Sequence, residues 1–434
     1  MHSIYPAKIA KKKNKTKAAP VCYKKIKYSN MSYSNEKEAL KYHSKGRAGK
    51  TEIVPTKPSD STEDIALAYS PGASFPADCI SKEKWNAYRY TNKGNLIGIL
   101  SDGASPLSTK PLMEGKSMLM KKFADIDAFD IEITDKDNDT LISVIQSIAP
   151  TFGSISIGGV KSCNSLALQE KLQQLLDIPV LHDDAYGAAI CIAAAYTNYL
   201  KHTGKEATEI RTALIGSGAA AQAAIQLLGG GGIASEHISV IENSDKMDGN
   251  AIGGYDFIIC TDKQQAPSAS FFGSSAPDAA IITLSPFCDY DAMKKTRPQA
   301  TILTGNIQHP NYIDSILASP YLFRGALDTL STSINSAMIG AATKSLTSLA
   351  AESNNGPLLP KYNDTRLATE ISAAVARAAI ESGAARRNIT DWKEYRQMLL
   401  SRLERIYNMT GHIKHYSGSS HRLHSRYFRA IQEY

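Results

Sequence analysis

The sequence predicts an α/β fold built from two successive domains, of which the second is a Rossmann-type dinucleotide-binding domain. Short apolar runs alternate with amphipathic stretches from residue 96 to residue 304, which is typical of parallel strands joined by helices. In addition, a glycine-rich turn at 216–221 separates an apolar run from an Ala-rich stretch, as at the start of a dinucleotide-binding unit.

The first half of the chain predicts four strands with helices between them. The predicted strands are "NLIGILSDG", "AFDIEI", "SISIGGV" and "IPVLHDD", and the predicted helices are "GKSMLMKKFADI", "DNDTLISVIQSIA" and "NSLALQEKLQQLL". Each strand is short and apolar and is followed by helical spacing. We therefore expect a parallel sheet that is covered by helices on both faces.

A helix at 187–201 precedes the second predicted sheet. That sheet begins with Thr212–Ile215 and continues through "HISVIE", "YDFIIC", "AAIITLS" and "ATILTG". Beyond residue 356 the pattern indicates an extended arm, a long helix and a charged helix at 390–406. The predicted organisation is a basic tail without fixed structure at 1–37, an N-terminal α/β domain at 38–186, the dinucleotide-binding domain at 187–345, a helical segment packing on both at 346–408 and a basic His- and Arg-rich tail at 409–434.

Composition indicates a globular protein of a reducing compartment. The chain has 434 residues, of which 43% are hydrophobic, enough for ordinary cores in two or three domains. Its six cysteines form no Cys-x-x-Cys pair, so neither a disulfide framework nor a structural zinc site is expected. The most apolar helix candidate, 188–200, is too short to span a membrane, and the N-terminus lacks the apolar segment of a secretory signal. We expect a cytoplasmic protein, with an organellar matrix as the alternative.

The net charge of +7 is unevenly distributed along the chain. Residues 1–50 carry +12, residues 51–410 carry −8 and residues 411–434 carry +3. Basic ends of this kind suit an anionic partner, such as nucleic acid or a membrane surface, or another subunit. The interpretation as solvated tails is favoured, because no base-stacking aromatic residues alternate with the basic ones. The four histidines of the C-terminal tail are likewise interpreted as solvated rather than metal-binding.

The glycine-rich turn is the clearest motif for a cofactor, and it predicts NAD or NADP. Its glycines let the backbone approach a pyrophosphate seated at a helix N-terminus. Glu242 ends the next predicted strand, where an acid binds a ribose 2′-hydroxyl and repels a 2′-phosphate, which mildly favours NAD. The alternative is a vestigial turn that binds no nucleotide. The motif comprises Gly216, Ser217, Gly218, Ala219, Ala220 and Ala221.

Several long blocks of the sequence resemble bacterial malic enzymes, and the resemblance covers roughly residues 38 to 405. The blocks are "LAYSPGASFP" (67–76), "YTNKGNLIGILSDG" (90–103), "KPLMEGKSMLMKKFADIDAFDIEI" (110–133), "DIPVLHDDAYGAAI" (177–190), "LFRGALDTLSTSIN" (322–335) and "AAVARAAIESGAARR" (373–387). The resemblance implies a malic domain before the Rossmann-type domain, a homo-oligomer, and oxidative decarboxylation of the dicarboxylate malate to pyruvate and carbon dioxide with NAD(P). It also implies a Mg²⁺ or Mn²⁺ ion that polarises the substrate carbonyl.

The resemblance further implies two catalytic residues. The general acid of the family falls on Tyr69 in "AYSPG", and the general base falls on Lys116 in "MEGK". A lysine beside a divalent cation has its pKa lowered and can then accept a hydroxyl proton. The alternative for Lys116 is a structural ion pair with Asp183 or Asp184.

The chain departs from the family pattern where the metal and malate bind. Gly158 and Gly159 stand at the positions of two adjacent acidic metal ligands, which leaves Asp184, with its neighbour Asp183, as the expected ligand. The alternative for both acids is that they cap the helix at 187–201. Asp314 stands at the position of a family amide and places a negative charge where a dicarboxylate would bind.

Three interpretations of function follow from this pattern. The first is a malic-enzyme-like pseudoenzyme that still binds a dinucleotide but has impaired or lost activity, because decarboxylation depends on the metal as a Lewis acid. The second is an active, divergent NAD(P)-dependent oxidoreductase acting on malate or another hydroxy acid. The third is an interaction protein whose basic ends bind an anionic partner.

Overall fold

Four apolar runs in the first half of the chain form a parallel sheet, as their pattern predicts. The computed structural model describes residues 36–45, 48–101, 107–134, 137–160, 165–230, 233, 237–241, 252–264, 266–350 and 357–415, the last helix without side chains beyond 409. The strands are β1 (Leu96–Ser101), β2 (Asp127–Glu132), β3 (Ser154–Gly159), β4 (Val180–Leu181), β5 (Thr212–Ile215), β6 (Ile238–Ile241), β7 (Phe257–Cys260), β8 (Ala280–Thr283) and β9 (Thr301–Thr304).

Helices follow most of these strands and cover both faces of each sheet. The helices are α1 (Glu36–Ser44), α2 (Thr62–Ala68), α3 (Ser74–Lys82), α4 (Ala87–Tyr90), α5 (Lys110–Ala124), α6 (Asn138–Ile148), α7 (Ser165–Leu175), α8 (Asp183–Thr203), α9 (Ala219–Gly230), α10 (Tyr290–Thr296), α11 (Ser319–Asp328), α12 (Ser336–Ala350), α13 (Ser372–Glu381) and α14 (Trp392–His415). A short π-helical turn, Leu367–Ile371, leads directly into α13. Among the described helices, none combines the length and the apolar character needed to cross a lipid bilayer.

The first sheet has the strand order β2-β1-β3-β4, and every pairing is parallel. All six residues of the central strand β1 are buried, since its side chains alternate between two covered faces. Ile97 and Ile99 pack in one core with α5 and α8, whereas Leu96 and Leu100 pack in another with α6 and α7. The expected sheet covered on both faces is confirmed.

The second sheet has the parallel order β6-β5-β7-β8-β9, which is the arrangement of a doubly wound dinucleotide-binding domain. Strand β5 is the first of these in the chain, and the connections that follow it lead to opposite sides. The carboxyl ends of β5 and β7 therefore flank the point where ligands bind in sheets of this type. Both sheets and all site residues discussed below lie within one unit that begins at His43.

Helix α8 connects the two sheets and has an uninterrupted buried stretch from Gly187 to Tyr196. Its alanines allow close packing against α9, and its buried side chains join residues of both sheets in one apolar core. The helix begins at Asp183, four residues earlier than the sequence predicts. It therefore places the two acids in its first turn rather than ahead of it.

The last helix is longer than predicted and carries a dense set of charges. It runs from Trp392 to His415, whereas the charge pattern predicts an end near residue 406. Its Arg402 and Arg405 contact the buried carboxylate of Asp125 at the end of α5. The predicted N-terminal tail up to residue 35, the acid Glu242 and the tail from residue 416 lie outside the described residues.

Candidate active site

Four chain segments bring five charged side chains together where the first sheet meets the second. Lys116 comes from α5, Asp183 and Asp184 open α8, Lys263 follows β7, and Asp314 precedes a short 3₁₀ turn, Ser315–Leu317. Strand β4 ends two residues before α8, so the acids emerge at the carboxyl edge of the first sheet. We call these five side chains the charge cluster.

The inner half of the cluster is an ion pair between Lys116 and Asp183. Lys116 Nζ lies 2.9 Å from both carboxylate oxygens of Asp183 and 3.1 Å from Oδ2 of Asp184. The hydroxyl of Ser156 on β3 donates to Asp183 Oδ1 at 2.7 Å. The Asp183 side chain is fully buried and that of Lys116 is 13% exposed, so this pair is shielded from solvent screening. The ion pair given above as the alternative for Lys116 is therefore present.

The outer half of the cluster is built around Lys263. Its Nζ lies 3.3 Å from Asp314 Oδ2 and 3.9 Å from Asp184 Oδ1. The hydroxyl of Ser315 links the two acids, donating to Asp314 Oδ1 at 3.0 Å and to Asp184 Oδ1 at 3.4 Å. The negative charge that the sequence places at Asp314 is thus balanced by a lysine.

The charges in the cluster hold one another in their ionised forms. Burial alone would lower the pKa of Lys116, but Asp183 and Asp184 raise it above its usual value. For Lys263, burial is likewise outweighed by Asp314 and Asp184, which raise its pKa. Burial would raise the pKa of Asp184, but Lys116 and Lys263 hold it well below its usual range. Both lysines are therefore protonated near neutral pH, and Lys116 has no free lone pair to accept a proton.

The two glycines at the end of β3 face different surroundings. A Cβ atom on Gly158 would lie 2.2 Å from Asp183 Oδ1 and 2.4 Å from Lys116 Nζ. A Cβ atom on Gly159 would instead lie 2.6 Å from the carbonyl oxygen of Leu100 and 3.0 Å from the sulfur atom of Met113. Only Gly158 therefore faces the charge cluster, and the space in front of it is filled by the ion pair.

The residues present do not fit the divalent cation that the family uses. Mg²⁺ and Mn²⁺ require several oxygen ligands around one point. The described part of the chain contains no group of three or more His, Cys, Asp or Glu side chains arranged to hold a metal. At Asp184, the expected ligand, one carboxylate oxygen faces Lys116 and the other faces Lys263 and Ser315.

Tyr69, the predicted general acid, is a surface residue in this chain. It follows the last residue of α2 and is 80% exposed. No hydrogen bond between described residues joins its hydroxyl to the cluster, whereas Lys116 is held within it. The structure therefore places one of the two predicted catalytic residues in the site and leaves the other at the surface, and both roles stay predictions.

The glycine-rich turn has the local geometry of a nucleotide-binding turn. Gly216 has φ +125°, and a Cβ there would lie 2.2 Å from the hydroxyl oxygen of Thr261, which follows β7. Only glycine meets both conditions. A Cβ on Gly218 would have no neighbour within 4 Å, so the backbone before α9 is open to a ligand. Glu242 lies outside the described residues, so its role at the ribose stays a prediction.

Sequence reasoning missed Lys263 as a site residue, along with the hydroxyls of Ser156 and Ser315. A signal for Lys263 was available, because it follows the apolar strand "FIIC" by three residues. The carboxyl edge of a parallel sheet is where ligand-binding side chains of such domains are found. The serines carried no comparable signal, since each is defined by the residue it contacts.

The helix cap beside the cluster differs from the predicted one and has a pH dependence. His182 caps α8, because its Nδ1 accepts the N–H of Ala185 at 3.4 Å, and the alternative that Asp183 and Asp184 cap this helix is wrong.

Burial lowers the pKa of His182 below 6.5, although Asp184 and Asp183 act in the opposite direction. As the pH falls, the unfolded chain then binds a proton before the folded one does. Neutral His182 therefore contributes to the free energy of unfolding fully above pH 6.5. This contribution decreases as the pH falls towards the folded-state pKa of His182.

We predict that His182→Asn, which keeps a capping acceptor but does not titrate, reduces the loss of stability below pH 6.5. The measurement is the urea midpoint of both proteins across about pH 5 to 8. Midpoints that change in parallel for the two proteins would contradict the assignment to His182.

Comparison with known proteins identifies close relatives of this chain, although no protein-family model matches it. The NADP-dependent malic enzyme of Rhizobium meliloti (strain 1021) is 34% identical over 426 residues, covering 87% of this chain and 56% of that protein. The NADP-dependent malic enzyme of Halomonas elongata is 34% identical over 407 residues, covering 82% of this chain and 96% of that protein. The chain thus spans about half the length of the Rhizobium relative and nearly all of the Halomonas one.

Solved structures give the same answer for the fold. The malic enzyme of Pyrococcus horikoshii superimposes with a TM-score of 0.77 at 29% identity, covering 87% of this chain and 98% of that one. The malic enzyme of Entamoeba histolytica superimposes with a TM-score of 0.78 at 23% identity, covering 87% and 88%, which supports the fold alone. The sequence identity to the Halomonas enzyme extends over almost its whole length, and the fold matches that of the Pyrococcus enzyme. This chain therefore belongs to the malic enzyme family, of the bacterial type.

Proposed function

We propose that this chain binds NAD or NADP but holds no divalent cation, so that the oxidative decarboxylation of malate is impaired or lost. One observation carries the proposal: the Lys116–Asp183 ion pair fills the space in front of Gly158, where the family resemblance places a metal ligand. The nucleotide-binding half rests on the open turn at Gly218 and on the cofactors of the relatives. Besides the NADP-dependent enzymes described above, an NAD-dependent malic enzyme of Rhizobium meliloti (strain 1021) is 34% identical over 428 residues. The mild preference for NAD rests on Glu242 in the sequence alone.

The state of Lys116 supports the same proposal. A general base must be unprotonated when it takes the hydroxyl proton from the substrate. Two carboxylates raise the pKa of Lys116, whereas a nearby divalent cation would lower it. Among the described residues, the other cation of the cluster is Lys263, and it is paired with Asp314 and Asp184. It therefore does not replace the metal in lowering the pKa of Lys116. Lys116 thus serves to neutralise Asp183 and Asp184.

A second candidate function is an active, divergent NAD(P)-dependent oxidoreductase that acts on malate or another hydroxy acid. It is favoured by the retention of both Lys116 and the open nucleotide turn. Reduction of NAD or NADP by a hydroxy acid in the presence of a chelator would identify this function.

From the family resemblance we further propose a homo-oligomer. A third candidate function is the binding of the basic ends to an anionic partner, and most of the residues of these ends lie outside the described part of the chain.

We predict that NAD or NADP raises the thermal midpoint by about 3 °C at a concentration of about 100 times its dissociation constant. Mn²⁺ alone is expected to give no shift, and malate with Mn²⁺ no turnover above that of Lys116→Ala. The matched variant is Gly218→Ala, because its Cβ meets no protein atom but would obstruct a bound pyrophosphate. It should fold normally and lose the dinucleotide shift.

Two results would overturn the proposal. Turnover of malate that requires Mn²⁺ and is abolished by Lys116→Ala would show that the metal-dependent reaction is retained. An absent shift with both dinucleotides in the unaltered protein would remove the nucleotide-binding half and leave the turn vestigial.

A further inference from the structure

We propose that Lys263 is a built-in cation that occupies the place of the divalent ion and keeps metals out of the charge cluster. This inference rests on the proposed function and deepens it, because it names a second residue, beyond the Lys116–Asp183 pair, that keeps divalent cations out of the site. It also predicts that the exclusion is reversible. Without the ammonium group of Lys263, the site would accept an oxygen-preferring divalent cation.

The position of Lys263 supports this role. It lies three residues beyond β7, at the ligand-binding edge of the second sheet, yet its ammonium reaches acids on other segments. Asp184 opens α8 and Asp314 precedes the Ser315–Leu317 turn. Lys263 therefore lies between two carboxylates that would otherwise face each other across Ser315.

The carboxylates of the cluster already have cationic partners from the chain itself. Two ammonium groups, on Lys116 and Lys263, supply the same +2 charge as one Mg²⁺ or Mn²⁺. Three carboxylates, on Asp183, Asp184 and Asp314, face them within 4 Å. A dication entering this cluster would be repelled by both ammonium groups and would find each oxygen of Asp184 already engaged.

Of the two lysines, Lys263 is the one that can be removed without breaking the inner pair. The Lys116 side chain is 13% exposed and binds the fully buried Asp183, whereas that of Lys263 is 39% exposed. Loss of Lys263 would leave Asp314 and Asp184 uncompensated but partly hydrated, at 21% and 32% exposure. Carboxylates with a bridging hydroxyl and access to water are the ligand types that Mg²⁺ and Mn²⁺ prefer.

The test compares Mn²⁺ binding by the full-length protein and its Lys263→Met variant. Free Mn²⁺ is measured by electron paramagnetic resonance, and the thermal midpoint is followed in parallel. We expect Lys263→Met to bind Mn²⁺ at least about tenfold more tightly than the unaltered protein. The double variant Lys263→Met/Asp314→Asn should lose this gain, and Lys263→Arg, which keeps the charge, should never acquire it.

A matched control removes a lysine from a different acidic environment. Lys110 lies 2.6 Å from Asp130 and 3.7 Å from Glu114, and its side chain is 45% exposed. Lys110→Met changes the net charge by the same amount and should leave Mn²⁺ binding unaltered. Circular dichroism verifies folding of each variant, and Lys263→Gln, a neutral polar substitution, replaces Lys263→Met if the latter does not fold.

The outcomes separate this inference from the proposed function. If neither the unaltered protein nor the neutral Lys263 variants bind Mn²⁺, the role of Lys263 is overturned while the metal-free function stands. If the unaltered protein already binds Mn²⁺ as tightly as Lys263→Met, both fail. Equal gains in Lys263→Met and Lys110→Met would reduce the effect to net charge and would also overturn the inference.

Discussion

Replacing Asp328 with alanine is expected to lower the free energy of unfolding by about 3–5 kcal/mol, the cost of removing one partner from a buried ion pair. Asp328 ends α11 and accepts hydrogen bonds from Arg324 at 2.9 and 2.5 Å. It also accepts the hydroxyl of Tyr395 on α14 at 2.9 Å. The Arg324 side chain is 2% exposed, so alanine would leave a buried guanidinium with its remaining bond, to Asn95. The carboxylate of Asp328 thus joins α11 to α14, in addition to the contacts that Arg402 and Arg405 make with Asp125.

A matched control uses an ion pair that water already screens. Lys171 lies 3.2 Å from Asp139, with side-chain exposures of 55% and 85%. Lys171→Ala should cost at most about 1 kcal/mol, as is usual for exposed pairs. Urea unfolding of the three proteins gives the comparison. A loss for Asp328→Ala no larger than that for Lys171→Ala would show that the buried network contributes little.

The strands of both sheets were predictable because their sequence signal is local. A buried parallel strand such as Phe257–Cys260 is apolar on both faces, so it can be recognised from its own four residues. The start of α8 was not predictable in this way. The sequence "HDD" offers two aspartates that commonly cap helices, but Lys116 and Ser156 draw Asp183 into the site, and His182 takes the cap instead.

The same distinction between local and distant information applies to the candidate site. The turn at Gly216 could be predicted because the strand, the glycines and the helix adjoin one another in the chain. Within the charge cluster, the pairing of Lys116 with Asp183 or Asp184 was an alternative that followed from the family resemblance, whereas the partner of Asp314 could not be predicted. Lys116 and Asp183 are 67 residues apart, and Lys263 and Asp314 are 51 apart. Without the fold, Asp314 is an unbalanced charge that repels a dicarboxylate, whereas with the fold it is the counter-ion of Lys263.

A methyl group at Gly158 is expected to cost about 3 kcal/mol of folding stability, because it must separate the buried ion pair or distort β3. The new Cβ would lie 2.2 Å from Asp183 Oδ1, 2.4 Å from Lys116 Nζ and 2.9 Å from Asp184 Oδ2. Asp183 cannot yield freely, since it is fully buried and held by the hydroxyl of Ser156 at 2.7 Å. Lys116 must then move away from its counter-ion in a poorly hydrated site.

The comparison is with Gly340→Ala in the middle of α12, where a Cβ meets nothing within 4 Å. There alanine should be neutral or stabilise by up to about 1 kcal/mol through its higher helix propensity. Urea midpoints measure both changes. Adding Lys116→Met to Gly158→Ala should recover part of the loss, because the ammonium group that collides with the methyl group is then absent. If Gly158→Ala is as stable as Gly340→Ala, the space in front of Gly158 is not filled by the ion pair, and a metal ligand could be restored there without displacing Lys116.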